Sequence, residues 1–120
     1  MKDRRKTNRR YLLYYARIFD AVTRQQIGNL VDITPLGAMV LSPEPFQVGQ
    51  KYFLRIELTD DVSKHPHMDI HVLARWSHLD IDPHLYNTGF EIQDLGSEEE
   101  ETIHRIIGIY GFRDNTIKKP

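Results

Sequence analysis

Short strand-forming segments separated by turns constrain the fold of this chain more than any other feature. Each segment is rich in aliphatic, β-branched or aromatic residues, and such segments are predicted at residues 11–19, 26–34, 36–41, 52–58, 67–76 and 85–92. A chain of 120 residues has room for one hydrophobic core. Six or seven short strands with turn signals between them therefore favour a small antiparallel β-barrel.

The end of the chain has a different period, which is typical of a helix. Ser97 is followed three residues later by Glu100, so Ser97 is predicted to cap a helix whose first turn is acidic. One apolar stripe at helical spacing follows, formed by Ile103, Ile106, Ile107 and Tyr110. Gly111 stands where helices commonly end. The sequence therefore predicts a mainly β fold with one C-terminal α-helix that covers an opening of the barrel or packs on its wall.

Proline and glycine mark two special positions in the predicted strands. Pro35 and Gly37 occupy the second and fourth positions of a sharp type I turn. Gly89, inside a strand, indicates a β-bulge or the close approach of another group. Trp76 ends the strand predicted at residues 67–76, and we interpret it as a core residue rather than as a surface on which a base could stack.

Positive charge is concentrated in the first ten residues, MKDRRKTNRR. They contain six basic side chains and one acidic one, whereas the rest of the chain contains ten basic and sixteen acidic side chains. A basic end on a nearly neutral chain suits a partner that carries phosphate. Arg5 and Arg9, four residues apart, offer two guanidinium groups to phosphate oxygens or to the O6 and N7 edge of guanine. A basic tail that is simply solvated is the alternative interpretation.

Asp32 and Thr34 form the second candidate pair. They lie two residues apart in a predicted strand, so their side chains would point to the same face just before the turn. A carboxylate beside a hydroxyl can accept the N1 and N2 protons of guanine, a selection that phosphate contacts do not provide. The alternative is that both side chains only satisfy backbone groups of the turn.

These residues resemble the two signatures of the PilZ domain, a bacterial receptor for cyclic di-GMP. The segment that contains Arg5 and Arg9 is similar to the Arg-x-x-x-Arg signature, and DITPLG, which begins at Asp32, is similar to Asp/Asn-x-Ser-x-x-Gly. The dipeptides RW at residues 75–76 and GF at residues 89–90 look like later strands of that domain, so the resemblance covers nearly the whole chain.

The resemblance implies a six-stranded PilZ-like barrel with a C-terminal helix and a flexible basic arm. The arm, with Arg5 and Arg9, would wrap cyclic di-GMP against the barrel surface that carries Asp32 and Thr34, while Gly37 would matter for the shape of the backbone. Thr34 stands where the family usually has serine. It keeps the hydroxyl but adds a methyl group near the ligand.

We expect three parts along the chain. Residues 1–10 are the ligand-binding arm, residues 11–112 the barrel with its helix, and residues 113–120 a loose tail. Arg4 and Arg10 are expected to support the positive field of the arm. No cofactor is expected beside the ligand, and because no further domain is expected, the signal would pass through contact with an unidentified effector protein.

Other classes of function are disfavoured by what the sequence lacks. It has no cysteine and no apolar run near the roughly 18 residues of a membrane span, so we expect a cytoplasmic protein without membrane insertion, thiol chemistry or a thiolate metal site. The side chains expected to be solvated rather than to bind a metal are His65, His67, His71, Asp60, Asp61, Asp80 and Asp82. An enzyme is not expected. The alternatives are a PilZ-like protein-interaction module that does not bind nucleotide and, less favoured, a nucleic-acid-binding small barrel.

Overall fold

The computed structural model describes residues 15–111, which form a six-stranded barrel and one helix. The strands are β1 (Arg17–Asp20), β2 (Gln26–Ile33), β3 (Gly37–Ser42), β4 (Lys51–Glu57), β5 (His67–Leu79) and β6 (Tyr86–Gln93), and the helix is α1 (Ser97–Tyr110). This architecture confirms the predicted fold class. The expected arm at residues 1–10 and the expected tail at residues 113–120 lie outside the described residues.

All neighbouring strands are antiparallel, and they close into a barrel in the order β1-β2-β3-β6-β5-β4. Strand β1 closes the barrel because it pairs with β2 on one side and with β4 on the other. The strand predicted at residues 11–19 is found only from Arg17 onward in the described part of the chain. The strand predicted at residues 67–76 continues to Leu79.

Aliphatic side chains at alternate positions of the strands fill the barrel. The largest that are almost completely buried are Ile18, Leu30, Ile33, Leu54, Ile56, Val40 and Val72. The loop before β4 adds Phe46, whose ring packs edge-on against Tyr52 and Phe90 at centroid distances of 4.9 and 5.0 Å. The loop after β4 adds Val62, so the two ends of β4 lead into loops that cover the core.

A β-bulge at Val31 determines which side chains of β2 face outward. Leu30 faces the core, and strict alternation would send Asp32 inward as well. The register between β2 and β3 shifts between these two residues, so Val31 is an extra residue in the strand. The bulge therefore turns Asp32 to the outer face and leaves Ile33 in the core.

A second bulge, at Arg75, does the same for β5. Inward side chains alternate from Met68 to Ala74, and continued alternation would bury Trp76. The register between β5 and β6 shifts between Ala74 and Trp76, which places the indole on the outer face with 36% of its surface exposed. The prediction that Trp76 is a core residue is wrong for this reason. The irregularity predicted at Gly89 lies here, since Gly89 pairs with Trp76.

Helix α1 packs on the barrel through the predicted apolar stripe. Ile103 is completely buried and Ile106 nearly so, and Ile107 and Tyr110 pack against the same core. No helix of residues 15–111 combines the length and the apolar composition that a membrane crossing requires.

Of the two predicted ends of α1, only the C-terminal one is confirmed. The N-terminal cap is Gly96, which has an extended backbone, and not Ser97. The Gly96 carbonyl already accepts the first helical hydrogen bond, from the Glu100 N–H at 2.9 Å. Ser97 is therefore the first residue of the helix, and no side chain caps it. At the other end Gly111 stops the helix as predicted, and its N–H donates to the carbonyl of Ile107.

Polar contacts fasten α1 to the loop between β4 and β5. Arg105 donates from Nε to the carbonyl of Val62 at 2.6 Å. The hydroxyl of Tyr110 donates to the carboxylate of Asp61 at 2.9 Å. Because Val62 itself fills the core, the loop and the helix are held to the barrel as one unit.

Candidate functional site

Four neighbouring strands bring a row of four paired residues together on the outer surface of the barrel. Asp32 on β2 pairs with Met39 on β3, Met39 pairs with Gly89 on β6, and Gly89 pairs with Trp76 on β5. Directly paired residues share one face of a sheet. The row therefore has a carboxylate at one end and an indole at the other, and each of these two residues is outward because of a bulge.

A tight turn next to this row holds Thr34 and Gly37. Their backbones exchange two hydrogen bonds, of 2.8 and 3.3 Å. The Thr34 hydroxyl also accepts the N–H groups of Leu36 and Gly37 at 3.1 and 3.3 Å. Neither Pro35 nor Leu36 has a positive φ, which fits the predicted type I geometry.

The predicted pair of Asp32 and Thr34 lies on one side of the barrel, and both residues also serve the backbone. Oδ1 of Asp32 accepts the N–H of Ile33 at 3.0 Å, while Thr34 accepts two N–H groups of the turn. A hydroxyl that accepts still has its own proton to donate. Backbone support and ligand contact are therefore compatible in Thr34.

Gly37 is required by a close approach and not by an unusual φ. Its φ is not positive, so the left-handed region does not explain the residue. A Cβ at this position would lie 2.6 Å from the carbonyl oxygen of Phe90 on β6, which is closer than real side chains come. The glycine therefore lets β3 and β6 pair tightly beneath the turn.

These residues line one shallow groove of about 380 Å³. Its lining includes Asp32, Thr34, Gly37, Arg75, Trp76 and Gly89. The Trp76 ring lies directly on Gly89, because a Cβ there would overlap the indole. His78 stacks beside this ring, with centroids 5.2 Å apart. Sequence reasoning missed Trp76 as a groove residue, although the glycine predicted to permit a close approach was the signal for it.

Charges in the described lining of the groove are mostly negative. Asp32 and Glu91 are acidic, and Arg75 is the basic residue among the lining residues of 15–111. The Arg75 guanidinium lies 3.4 Å from the Glu91 carboxylate, and both side chains are exposed. A ligand with phosphate groups would therefore need cations from beyond this lining.

The chain enters the barrel beside the groove. The Ala16 carbonyl accepts the N–H of Leu30 at 2.8 Å, and β1 is antiparallel to β2. Tracing the chain backward from Ala16 to Tyr15 therefore leads along β2 toward Asp32. The predicted ligand-binding residues Arg5 and Arg9 lie outside the described residues, as do Arg4 and Arg10, and their roles remain predictions.

Histidines and aspartates elsewhere do not gather into a metal-binding cluster in the part of the chain that the structure describes. His71 stacks on the Phe53 ring at a centroid distance of 4.2 Å. His65 lies 3.9 Å from Glu98, and both side chains are exposed. The groove is thus the place where the described candidate residues come together.

Comparison with known proteins gives one family and one fold. The family model for the PilZ domain matches residues 3–108. A solved structure of the Bacillus subtilis inhibitor of motility (MotI/DgrA) is similar, with a TM-score of 0.59 and 15% identity over 80% of this chain and 47% of that one. The chain thus spans about half the length of that structure, and at this identity the similarity concerns the fold. No curated protein matches the chain.

Proposed function

This chain belongs to the PilZ domain family, whose members are binding and regulatory modules, and we propose that it is a cytoplasmic receptor for cyclic di-GMP that signals through protein contacts. The observation that most supports this proposal is the groove shared by Asp32, Thr34 and Gly37, the three residues that match the second signature. The family is generally one that binds this nucleotide. The groove, rather than a cavity inside the filled barrel, is the proposed binding surface.

Asp32 and Trp76 would bind one guanine between them. The carboxylate accepts protons from N1 and N2 of the base, while the indole supplies a flat apolar surface for stacking. Three inter-strand steps separate these two residues along the row, about 14 Å between their backbones. The Trp76 ring lies over Gly89 on β6, so it is one inter-strand step closer to Asp32 than the Trp76 backbone is. The remaining distance between the ring and Asp32 suits the width of a purine.

Thr34 and Gly37 would set the shape of the surface next to the base. The Thr34 hydroxyl, held by two N–H groups of the turn, would donate its proton to the nucleotide. Gly37 would keep β3 close to β6 and leave the surface open. The additional methyl group of Thr34 would occupy space near the ligand that the serine usual in the family leaves open.

Arg5 and Arg9 would supply the positive charge that the groove lacks. Arg9 precedes Ala16 by seven residues and Arg5 by eleven, so the extended chain reaches up to about 23 and 36 Å. Either distance is enough to bring a guanidinium to a ligand in the groove. The two arginines would bind phosphate oxygens or a guanine edge, with Arg4 and Arg10 adding to the field.

A second candidate is a PilZ-like module that binds no nucleotide and acts only through protein interaction. The observation in its favour is that Asp32 and Thr34 already satisfy backbone N–H groups. Both residues therefore have a structural reason to be present without any ligand. A nucleic-acid-binding barrel is less favoured, because the described groove offers two carboxylates and one guanidinium to an anionic polymer.

Isothermal titration calorimetry of the full chain with cyclic di-GMP tests the proposal. We expect a micromolar or lower Kd, and we expect Arg5→Ala, Arg9→Ala and Asp32→Ala each to weaken binding by about tenfold or more, because a charge-assisted hydrogen bond contributes roughly 1.5–3 kcal/mol. Lys64→Ala removes a positive charge from an exposed loop and is the matched control. It should leave the affinity unchanged.

Three results would contradict the proposal in different ways. Unchanged affinity in both arginine variants would remove the arm from the site. No heat of binding to a well-folded protein would favour the interaction module. Binding to single-stranded oligonucleotides that weakens steeply with salt, without any response to cyclic di-GMP, would favour the nucleic-acid-binding barrel.

A further inference from the structure

Among residues 15–111, one stretch of strand edge in the barrel has no neighbouring strand. The pairing of β5 with β4 ends at Leu73, whereas its pairing with β6 continues to its last residue. The last backbone bonds on the β4 side are those of Ala74, whose N–H donates to Gln50 at 3.0 Å and whose carbonyl accepts from Gly49 at 2.8 Å. Within residues 15–111, no backbone hydrogen bond joins residues 75–79 to a group on that side. We call residues 75–79 the open edge.

A left-handed glycine explains why the edge is open. Gly49 has a φ of 90°, in the region that glycine adopts without strain. At this point the chain leaves the line of β4. The loop upstream instead sends the Phe46 ring against Tyr52 and Phe90, where it covers the core. The chain therefore does not extend β4 along the rest of β5.

Backbone groups of Ser77 and Leu79 point to the open side. Successive residues of a strand direct their N–H and C=O groups to alternate neighbours, and Ala74 directs its groups to the β4 side. The bulge at Arg75 adds one residue, so the next two residues with that orientation are Ser77 and Leu79. The open edge thus presents two donors and two acceptors along about 17 Å.

Side chains beside the open edge divide into a basic and an apolar group. Lys51, Arg75 and His78 are exposed on the outer face of the barrel wall, where the Arg75 guanidinium also contacts the Glu91 carboxylate. Leu79 is 57% exposed, and Ile81, in the loop that follows, is 99% exposed. An added strand would place alternate side chains toward these two groups, because its residues also alternate between the two faces.

We propose that the open edge binds an extended segment of a partner protein in which acidic residues alternate with apolar ones. The backbone of the segment would pair with Ser77 and Leu79, which is the mode of binding called β-strand addition. Its acidic side chains would face the basic group, and its apolar side chains would pack on Leu79 and Ile81. A second copy of this chain is a poorer occupant, since a stable interface takes about 20–30 residues from each side and the open edge has five.

This inference deepens the proposed function, because it gives the chemistry of the protein contact through which the signal would pass. The link between the open edge and signalling rests on the proposed function. Residues 75 and 76 belong both to the open edge and to the groove. Nucleotide in the groove and a partner on the edge would therefore share one strand. The binding of the segment itself needs no nucleotide, so it is tested without any.

A random nine-residue peptide library displayed on phage, selected against the immobilised full chain, provides the probe. We expect enriched peptides in which acidic and apolar residues alternate. The most enriched peptide is then synthesised with a fluorophore, and its affinity is measured by fluorescence polarisation. Ser77→Pro, which removes the outward N–H, should weaken binding by about tenfold or more, whereas Ser77→Ala, which keeps it, should stay within about twofold.

A second measurement does not depend on the folding of a variant. N-methylation of alternate residues of the same peptide should weaken binding to the unmodified protein by about tenfold, while methylation of the intervening residues should not. The proposal is overturned if no peptide family is enriched or if all methylated peptides bind alike. It is also overturned if sedimentation shows a dimer that Ser77→Pro dissociates, because a second copy then occupies the edge.

Discussion

At the scale of single residues, two glycines let bulky groups approach the outer surface of the barrel. Gly89 has no side chain where the Trp76 indole lies, and Gly37 has none where the carbonyl of Phe90 lies. Neither has a positive φ, so both are needed for space and not for backbone freedom. In a sequence, glycine in a strand indicates such an approach but does not indicate which residue approaches.

Trp76 gives a direct test at this scale. Trp76→Ala should weaken binding of cyclic di-GMP by about 5- to 150-fold, since stacking on an aromatic side chain contributes roughly 1–3 kcal/mol per base. Trp76→Phe keeps an aromatic ring and is the matched control, with a smaller loss expected. Trp76 is the single tryptophan of the chain, so its fluorescence should be quenched when nucleotide binds. Full affinity in Trp76→Ala would show that the base lies elsewhere.

Gly89→Ala tests the position of the same ring. The new Cβ overlaps the indole, so the ring must move away from β6. We expect weaker nucleotide binding, measured by calorimetry, in a protein whose circular dichroism is unchanged. Gly108→Ala adds the same group where nothing lies within 4 Å, and it should bind like the unmodified chain.

At the scale of elements, the strands were more predictable than their irregularities. Aliphatic and aromatic residues between turns indicated all six strands, because the strand interior selects these residue types. The bulges at Val31 and Arg75 could not be predicted from the period of two, since an extra residue is defined by the partner strand. The groove shows the same limit, since the sequence pattern indicated Asp32 and Thr34, which line it, but did not indicate Trp76.

Helix α1 offers a prediction for an element. Ile103 is completely buried against the barrel, so Ile103→Ala should lower the free energy of unfolding by about 2–5 kcal/mol, measured by urea denaturation. Ile109 lies on the same helix with 43% of its surface exposed. Ile109→Ala should change stability by no more than about 0.5 kcal/mol. Equal effects of the two substitutions would mean that the helix does not contribute to the core.

At the scale of the whole molecule, paired carboxylates make the fold sensitive to acid. Hydrogen bonds from Arg55 lower the pKa of Asp69, and hydrogen bonds from Arg17 lower the pKa of Glu57. The hydroxyls of Thr59 and then Tyr110 lower the pKa of Asp61. Each of these folded-state pKa values lies below its unfolded value, so the stabilisation is complete above the unfolded pKa and is lost as the pH falls through the folded pKa.

The expected result is a midpoint of urea denaturation that falls below about pH 5 and continues to fall toward pH 2. Asp69→Asn removes one of these groups, so its stability should depend less steeply on pH in this range. Asp60→Asn removes a carboxylate from an exposed loop, where it has no arginine partner within residues 15–111, and is the matched control. A slope in Asp69→Asn equal to that of the unmodified chain would contradict a role for the Arg55–Asp69 pair.

The two bulges decide which residues of β2 and β5 face the groove. If β2 kept all its residues but paired with β3 without the bulge at Val31, strict alternation would direct the carboxylate of Asp32 into the apolar core. If β5 paired with β6 without the bulge at Arg75, the indole of Trp76 would turn inward in the same way. Deletion of Val31 or of Arg75 would instead restore regular pairing and leave Asp32 or Trp76 on the outer face, because each deleted residue is the extra one in its strand. In an alignment with a relative, a gap of one position at either bulge would therefore preserve the face that each groove residue occupies.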